Sequence, residues 1–212
     1  MKRHVAVSLA ADGSSAVLVA IAPATARTSF SLIPPKDGTL DLLAIEVFPA
    51  PGDLRPVVER TSKLIADNWH LAHGPGDWGL LVDVGHYLRG RSLGEAFRNS
   101  DLEKRWQIVP MRVEVDPKDL ARPERAVWRV KLPRRDVVGG LMDVVGRDLL
   151  HVPRRLAHAD DLKRQLETMK NRRAGDEDAP EELALALALA VWRATRGAPS
   201  LGGFLPRAAK SR

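Results

Sequence analysis

Apolar residues in the first quarter of the chain form the short alternating or continuous runs that are typical of β-strands. Residues 5–21 are apolar on both sides of an Ala-Asp-Gly-Ser-Ser break at 11–15, where Asp and Gly suit a turn, so the segment predicts a β-hairpin. Two further strands are expected at 28–33 and 42–48, because the Pro-Pro-Lys-Asp-Gly run between them is a strong turn signal. The N-terminal region is therefore predicted to build part of a sheet.

The pattern then alternates between helix and strand. Residues 53–68 place apolar side chains at helical spacing, and Pro56 falls near the start, where a helix tolerates proline. Residues 79–84 are almost wholly apolar and follow a Gly-Pro-Gly break, which predicts a buried central strand whose one charge is Asp83. A short helix is expected next, at 92–98.

A proline-containing strand and a long polar loop come next. Residues 107–113 predict a strand, and Pro110 within it favours a position toward the edge of the sheet, because proline cannot donate a ladder hydrogen bond. The loop at 116–125 is polar and also contains proline. Loops of this size inside a domain are often functional.

The last third of the chain is predicted to be helical. Two of its segments carry apolar residues on one helical face, and the third is apolar on every face, so that helix must be buried. Gly197 after the third segment is a stop signal. The three helices are expected at residues 136–145, 160–170 and 183–192.

Length and composition favour one α/β domain. A chain of 212 residues with 44% hydrophobic content can bury one substantial core. We assign the domain to residues 1–197 and a basic tail to 198–212. No apolar run approaches the roughly 18 residues of a membrane span, which predicts a soluble, intracellular protein. The absence of cysteine excludes disulfides and thiolate metal sites, so oxygen or histidine would have to hold any metal.

The formal charge of +6 and the pI near 10 suit a polyanionic partner, since neutralising phosphates releases counterions. Solvated helical faces rich in arginine are an equally good explanation of this charge. No Gly-x-x-x-x-Gly-Lys-Ser/Thr run occurs in the chain, so no nucleotide-binding ATPase motif is present.

Three acidic residues are the candidates for phosphodiester chemistry. Two-metal cleavage needs carboxylates that converge on ions roughly 3.5 to 4 Å apart. Asp83 ends the predicted central strand, and Glu181 and Glu182 open the predicted buried helix. From spacing alone, Asp83 also suits a turn or helix cap, and Pro-Glu-Glu is an ordinary first helical turn.

Three segments carry a family resemblance. Residues 80–85 read Leu-Leu-Val-Asp-Val-Gly, an apolar strand ending in an acid. Residues 128–141 contain a proline, basic residues and an acid before a Val-Gly helix, and residues 181–192 are a Glu-Glu opening followed by a Leu-Ala helix. In this order the three segments resemble the nuclease domain of phage terminase large subunits, an RNase H-like module whose last segment opens with His-Asp-Asp.

The resemblance implies an RNase H-like mixed sheet with flanking helices, DNA as the partner, and Mg²⁺ or Mn²⁺ as the cofactor. It assigns metal binding and catalysis to Asp83, Glu181 and Glu182. The basic residues of the second segment are the implied phosphate contacts. They are Lys131, Arg134 and Arg135.

The chain departs from the family at the first acid. Where the family has an Asp-Leu-Gly-like turn, this sequence has Ser8, Leu9 and Ala10, and Asp12 in the following turn is a candidate displaced ligand. A serine hydroxyl is a poor ligand for Mg²⁺ beside a carboxylate. We therefore expect a phage or prophage protein, cytoplasmic in a bacterial host or phage-associated, that binds DNA with weakened or lost endonuclease activity. The alternative is a non-catalytic protein-interaction scaffold of a phage or prophage assembly, with a packaging or other phage protein as its partner.

Overall fold

One sheet flanked by helices forms the protein in the computed structural model, which describes residues 3–9, 15–24, 37–50, 52–67, 78–83, 87–98, 100–104, 108, 110–116, 124–126, 129–171 and 181–195. The strands are β1 (Arg3–Leu9), β2 (Ser15–Pro23), β3 (Leu40–Pro49), β4 (Trp78–Asp83), β5 (Pro110–Asp116), β6 (Glu124–Ala126), β7 (Arg129–Pro133) and β8 (Leu150–His151). The helices are α1 (Arg55–Asp67), α2 (Tyr87–Arg98), α3 (Asp101–Lys104), α4 (Arg134–Gly146), α5 (Ala159–Asn171) and α6 (Glu182–Thr195).

The sheet is mixed, with the strand order β6-β7-β5-β4-β1-β2-β3-β8. Strands β1, β2 and β3 form an antiparallel meander, which confirms the predicted hairpin. Strands β1, β4, β5 and β7 run parallel to one another, so they all end at the same edge. We call this the carboxyl edge, because ligand sites of parallel sheets form there.

The alternation of side chains along β1 and β4 divides the apolar core between two faces. Ala6 and Leu81 pack with α4, α5 and α6, whereas their neighbours Val7 and Val82 pack with α1 and α2. The predicted central strand is therefore buried on both faces, as its continuous apolar run indicated.

Helix α6 lies on the first of these faces, against β1 and β2 and between α4 and α5. Its residues from Leu183 to Trp192 are buried, except Leu185, which is half-buried. The prediction that this all-apolar helix is buried is confirmed. Among the described residues, no helix is long and apolar enough to cross a membrane.

The predicted edge position of the proline strand is wrong. Strand β5 lies between β4 and β7, in parallel with both. Pro110 is its first residue and pairs with Leu80, and proline at the first position of a strand removes no ladder bond from the interior. The proline therefore marks where the strand begins and does not exclude it from the sheet interior.

Several elements differ in extent from the predictions. Helix α2 begins five residues before the expected 92. The two-residue β8 and the single turn of α3 have no counterpart among the predictions. The expected strand at 28–33 and the hairpin turn at 11–15 lie outside the described residues.

Gly79 is required where β4 passes β1. His4 on β1 is the register partner of Gly79, and its ring is buried. A Cβ built at Gly79 would lie 2.7 Å from Nδ1 of that ring. We expect Gly79→Ala to lower the free energy of unfolding by about 1–3 kcal/mol, the usual range for overpacking, in urea denaturation. Gly139→Ala is the matched control, because nothing lies within 4 Å of a Cβ there in α4. It should raise stability by about 0.8–1 kcal/mol through helix propensity; destabilisation by both substitutions to the same extent would contradict the steric argument.

Candidate functional site

Ser8 and Asp83 meet at the carboxyl edge. Val7 pairs with Val82 in the parallel register of β1 and β4, which places the next two residues side by side. Ser8 is 0% exposed and Asp83 8% exposed, and the Ser8 hydroxyl donates a hydrogen bond of 2.9 Å to Oδ2 of Asp83. Two residues separated by 75 positions, and assigned to one site by the resemblance, are thus in direct contact.

The first turn of α6 lies at the same level of the sheet. Val17 is the register partner of Ser8 in β2, and Val47 is the partner of Val17 in β3. Both valines line a groove together with Glu182 and Leu183 of α6. The helix that carries the candidate glutamates therefore begins at the carboxyl edge.

The start of α6 is held by two hydrogen bonds. The carbonyl of Glu181 accepts the Leu185 amide at 2.7 Å, which makes Glu181 the residue that precedes the first helical turn. The Ala184 amide donates to Oε1 of Gln165 on α5 at 3.1 Å. Because Gln165 satisfies one of the helix's open amides, the backbone here is fixed independently of the glutamate side chains.

The two glutamates point to different sides of α6. The Glu181 carboxylate forms an ion pair with the Arg134 guanidinium, and their side chains are only 13% and 21% exposed. Arg134 opens α4 directly after β7, so this pair lies on the side of α6 that faces α4. Glu182 instead lines the groove of about 510 Å³ between α5, α6 and strands β2 and β3. Glu181 therefore lies on the α4 side of α6 and Glu182 on the α5 side.

The three candidate phosphate-binding residues do not form one cluster. Val130 and Leu132 pack in the core beneath α4, so Lys131 between them points to the opposite face, where its Nζ lies 3.8 Å from Glu114. Arg135 is exposed and lies 3.9 Å from Asp136. Arg134 forms an ion pair with Glu181, an acid of the candidate site.

The described residues do not fit a two-metal centre. Within the described ranges, no group of three or more histidine, aspartate or glutamate side chains is placed to hold a metal ion. The Asp83 carboxylate accepts a hydrogen bond from the Ser8 hydroxyl, and the Glu181 carboxylate is ion-paired with the Arg134 guanidinium. Asp12, the candidate displaced ligand, lies outside the described residues.

Comparison with known proteins identifies the fold. No protein-family model matches the sequence, and neither does a curated protein. The nuclease domain of human cytomegalovirus terminase, in a manganese-soaked and inhibitor-bound form, is similar over 89% of this chain and 82% of its own, with a TM-score of 0.54 at 12% identity. A second structure of that viral domain matches over 90% and 83%, with a TM-score of 0.51 at 12% identity.

This chain has the fold of a terminase nuclease domain. The predicted fold class is confirmed: an RNase H-like mixed sheet with flanking helices. Within the terminase-nuclease fold, the pair of Ser8 with Asp83 and the pair of Arg134 with Glu181 lie at one edge of the sheet. Together, these two pairs of described residues place a hydroxyl, two carboxylates and one guanidinium at this edge.

Proposed function

We propose that this chain is a terminase-nuclease-type protein of a phage or prophage that binds DNA and has weakened or lost metal-dependent endonuclease activity. It acts in the cytoplasm of a bacterial host or in association with the phage, with DNA and a packaging protein as its partners. The observation that carries the proposal is the buried hydrogen bond from Ser8 to Asp83. A hydroxyl stands where two-metal cleavage would use a second carboxylate, and it supplies no negative charge to hold an ion.

The DNA-binding part of the proposal rests on charge and position. The chain carries a net charge of +6, and Arg134 places a guanidinium at the carboxyl edge beside Glu181. Guanidinium groups bind phosphates through two parallel hydrogen bonds. Lys131, on the opposite face, and the exposed Arg135 would add contacts only if the DNA extends beyond this edge.

Binding to a labelled 20-base-pair duplex should weaken steeply with salt, since log K falls by about 0.9 per phosphate contact for each unit of log salt. We expect Arg134→Gln to lower the affinity and to reduce the slope by about 1, measured by fluorescence anisotropy. Arg147→Gln is the matched control, because this substitution removes the same charge. Arg147 directly follows the other end of α4, about 20 Å from Arg134.

An equal effect of both substitutions on DNA affinity and on its salt dependence would show that Arg134 does not contact the DNA. Circular dichroism of both variants establishes that they are folded. Affinity that does not change with salt would contradict DNA binding and favour the protein-interaction scaffold.

A further inference from the structure

We propose that Glu181 competes with DNA phosphate for Arg134. In the free protein the Arg134 guanidinium is ion-paired with Glu181, and DNA must displace the Glu181 carboxylate to bind this arginine. The inference rests on the proposed DNA-binding function and adds to it a contact that restrains binding. Its basis is the largely buried pair of Arg134 and Glu181, which joins the start of α4 to the start of α6.

Arg134 needs an anion where it lies. It is the first residue of α4, and the positive end of a helix dipole disfavours a cation in the first turn. Pro133 precedes the helix and makes no side-chain hydrogen bond to it. In the free protein Glu181 supplies the negative charge, and a phosphate at the same place would supply it equally well.

Carboxylate and phosphate are alternative partners for the same guanidinium. Both accept hydrogen bonds from the planar fork of arginine through two oxygen atoms. A phosphate that approaches Arg134 in this way takes the donors that Glu181 occupies. The contact with Glu181 therefore subtracts from the affinity for DNA.

Displacement of the Glu181 carboxylate leaves the backbone contacts of the first turn of α6 in place. The Glu181 carbonyl stays in the first helical hydrogen bond with Leu185, and Gln165 holds the Ala184 amide. These backbone contacts do not involve the Glu181 carboxylate. The ion pair can open while α6 remains seated on the sheet.

The neighbouring glutamate provides the control for a direct test. Glu181→Gln and Glu182→Gln remove the same charge from adjacent positions, but the Glu182 side chain lines the groove on the α5 side. In EDTA, with the labelled duplex, we expect Glu181→Gln to bind more tightly than the native chain by a factor within the roughly 5- to 150-fold range of site couplings. Glu182→Gln should give only the smaller gain of a general charge effect. Equal gains from both variants would overturn the competition.

A double-mutant cycle separates the effect of the Arg134–Glu181 ion pair on DNA affinity from the effect of net charge. In the Arg134→Gln background, Glu181→Gln should gain no more affinity than Glu182→Gln, because the contested cation is absent. A gain that persists in that background would place the effect of Glu181 elsewhere. Failure of the native chain and of all variants to bind duplex would overturn the proposed function together with this inference, whereas binding with equal glutamate effects overturns the inference alone.

A spectroscopic measurement tests the competition in the native chain. The Arg134 Nε–H signal in nitrogen-15 NMR should shift when the duplex is added. It should also shift in Glu181→Gln without DNA, and retain its native position in Glu182→Gln. If anisotropy demonstrates binding but the duplex leaves this signal unchanged, the displacement of Glu181 by DNA would be contradicted. The glutamine amide still accepts a hydrogen bond from Arg134, so the variant keeps a packing partner and is expected to fold.

Discussion

Ser8→Asp is expected to lower the free energy of unfolding by about 3–5 kcal/mol in EDTA at neutral pH, the scale of an uncompensated buried charge. Ser8 is fully buried and its hydroxyl lies 2.9 Å from the Asp83 carboxylate. The substitution replaces a hydrogen-bond donor by a second carboxylate, and like charges at this distance repel strongly where water is excluded. Urea denaturation of the native chain and the variant measures the difference.

Two further substitutions separate charge from the loss of the hydrogen bond. Ser8→Asn has nearly the same size as the aspartate variant but no charge, and Ser8→Ala removes only the donor to Asp83. We expect Ser8→Ala to lose about 1–3 kcal/mol, the cost of an unsatisfied buried acceptor. Destabilisation by Ser8→Asn as large as that by Ser8→Asp would show that volume, and not repulsion, is the cause.

Divalent metal gives the aspartate variant a distinctive response. If the new carboxylate and Asp83 hold an ion together, Mn²⁺ at a hundred times its dissociation constant stabilises the folded state by about 2.7 kcal/mol. The Ser8→Asn variant should gain nothing comparable, since it presents one carboxylate. Equal responses to Mn²⁺ would show that these two positions do not form an ion site.

The sequence determines the buried elements well because their periodicity directly reflects their surroundings. The run at 79–84 is continuous because β4 is covered on both faces, and α6 is apolar on every side because it lies on the sheet between two helices. The prediction from Pro110 was wrong because a proline indicates only that one backbone nitrogen cannot donate a hydrogen bond. Whether that nitrogen lies at the beginning or in the middle of a strand depends on how the strand pairs with its neighbours, and the hydrophobic pattern of one segment does not reveal that pairing.

The candidate site was only partly predictable. The resemblance brought Ser8 and Asp83 together and the structure shows their contact, but it treated Glu181 and Glu182 as equivalent. Adjacent residues at the start of a helix point about 100° apart, so Glu181 faces Arg134 on α4 while Glu182 lines the groove beside α5. The ion pair with Arg134 and the cap from Gln165 join residues 47 and 19 positions apart, and no local pattern marks such contacts.

Cleavage of DNA should be absent or very weak in the native chain. A two-metal reaction needs several carboxylates that hold the ions, and the β1 residue beside Asp83 is Ser8, whose hydroxyl brings no negative charge. We expect no Mg²⁺- or Mn²⁺-dependent nicking of supercoiled plasmid by the native protein on an agarose gel. Asp12→Asn tests the remaining route to activity: cleavage by the native chain that this substitution abolishes would mean that Asp12 has taken the first position.

Ser8→Asp is expected to raise Mn²⁺-dependent nicking above the native level, and Ser8→Asp combined with Asp83→Asn should lose that gain. The reason is that the variant returns a carboxylate to β1 within reach of Asp83, while Glu181 is available only when Arg134 releases it. Recovery should therefore be partial, and at protein concentrations that saturate the plasmid it should increase when Arg134→Gln is added to Ser8→Asp. Ser8→Asn, with the same shape and no charge, is the control and should stay at the native level. Native cleavage that survives Asp83→Asn would show that the active acids lie elsewhere in the chain. Asp83 is the one carboxylate in β4, so no reaction centred on this edge can proceed without it.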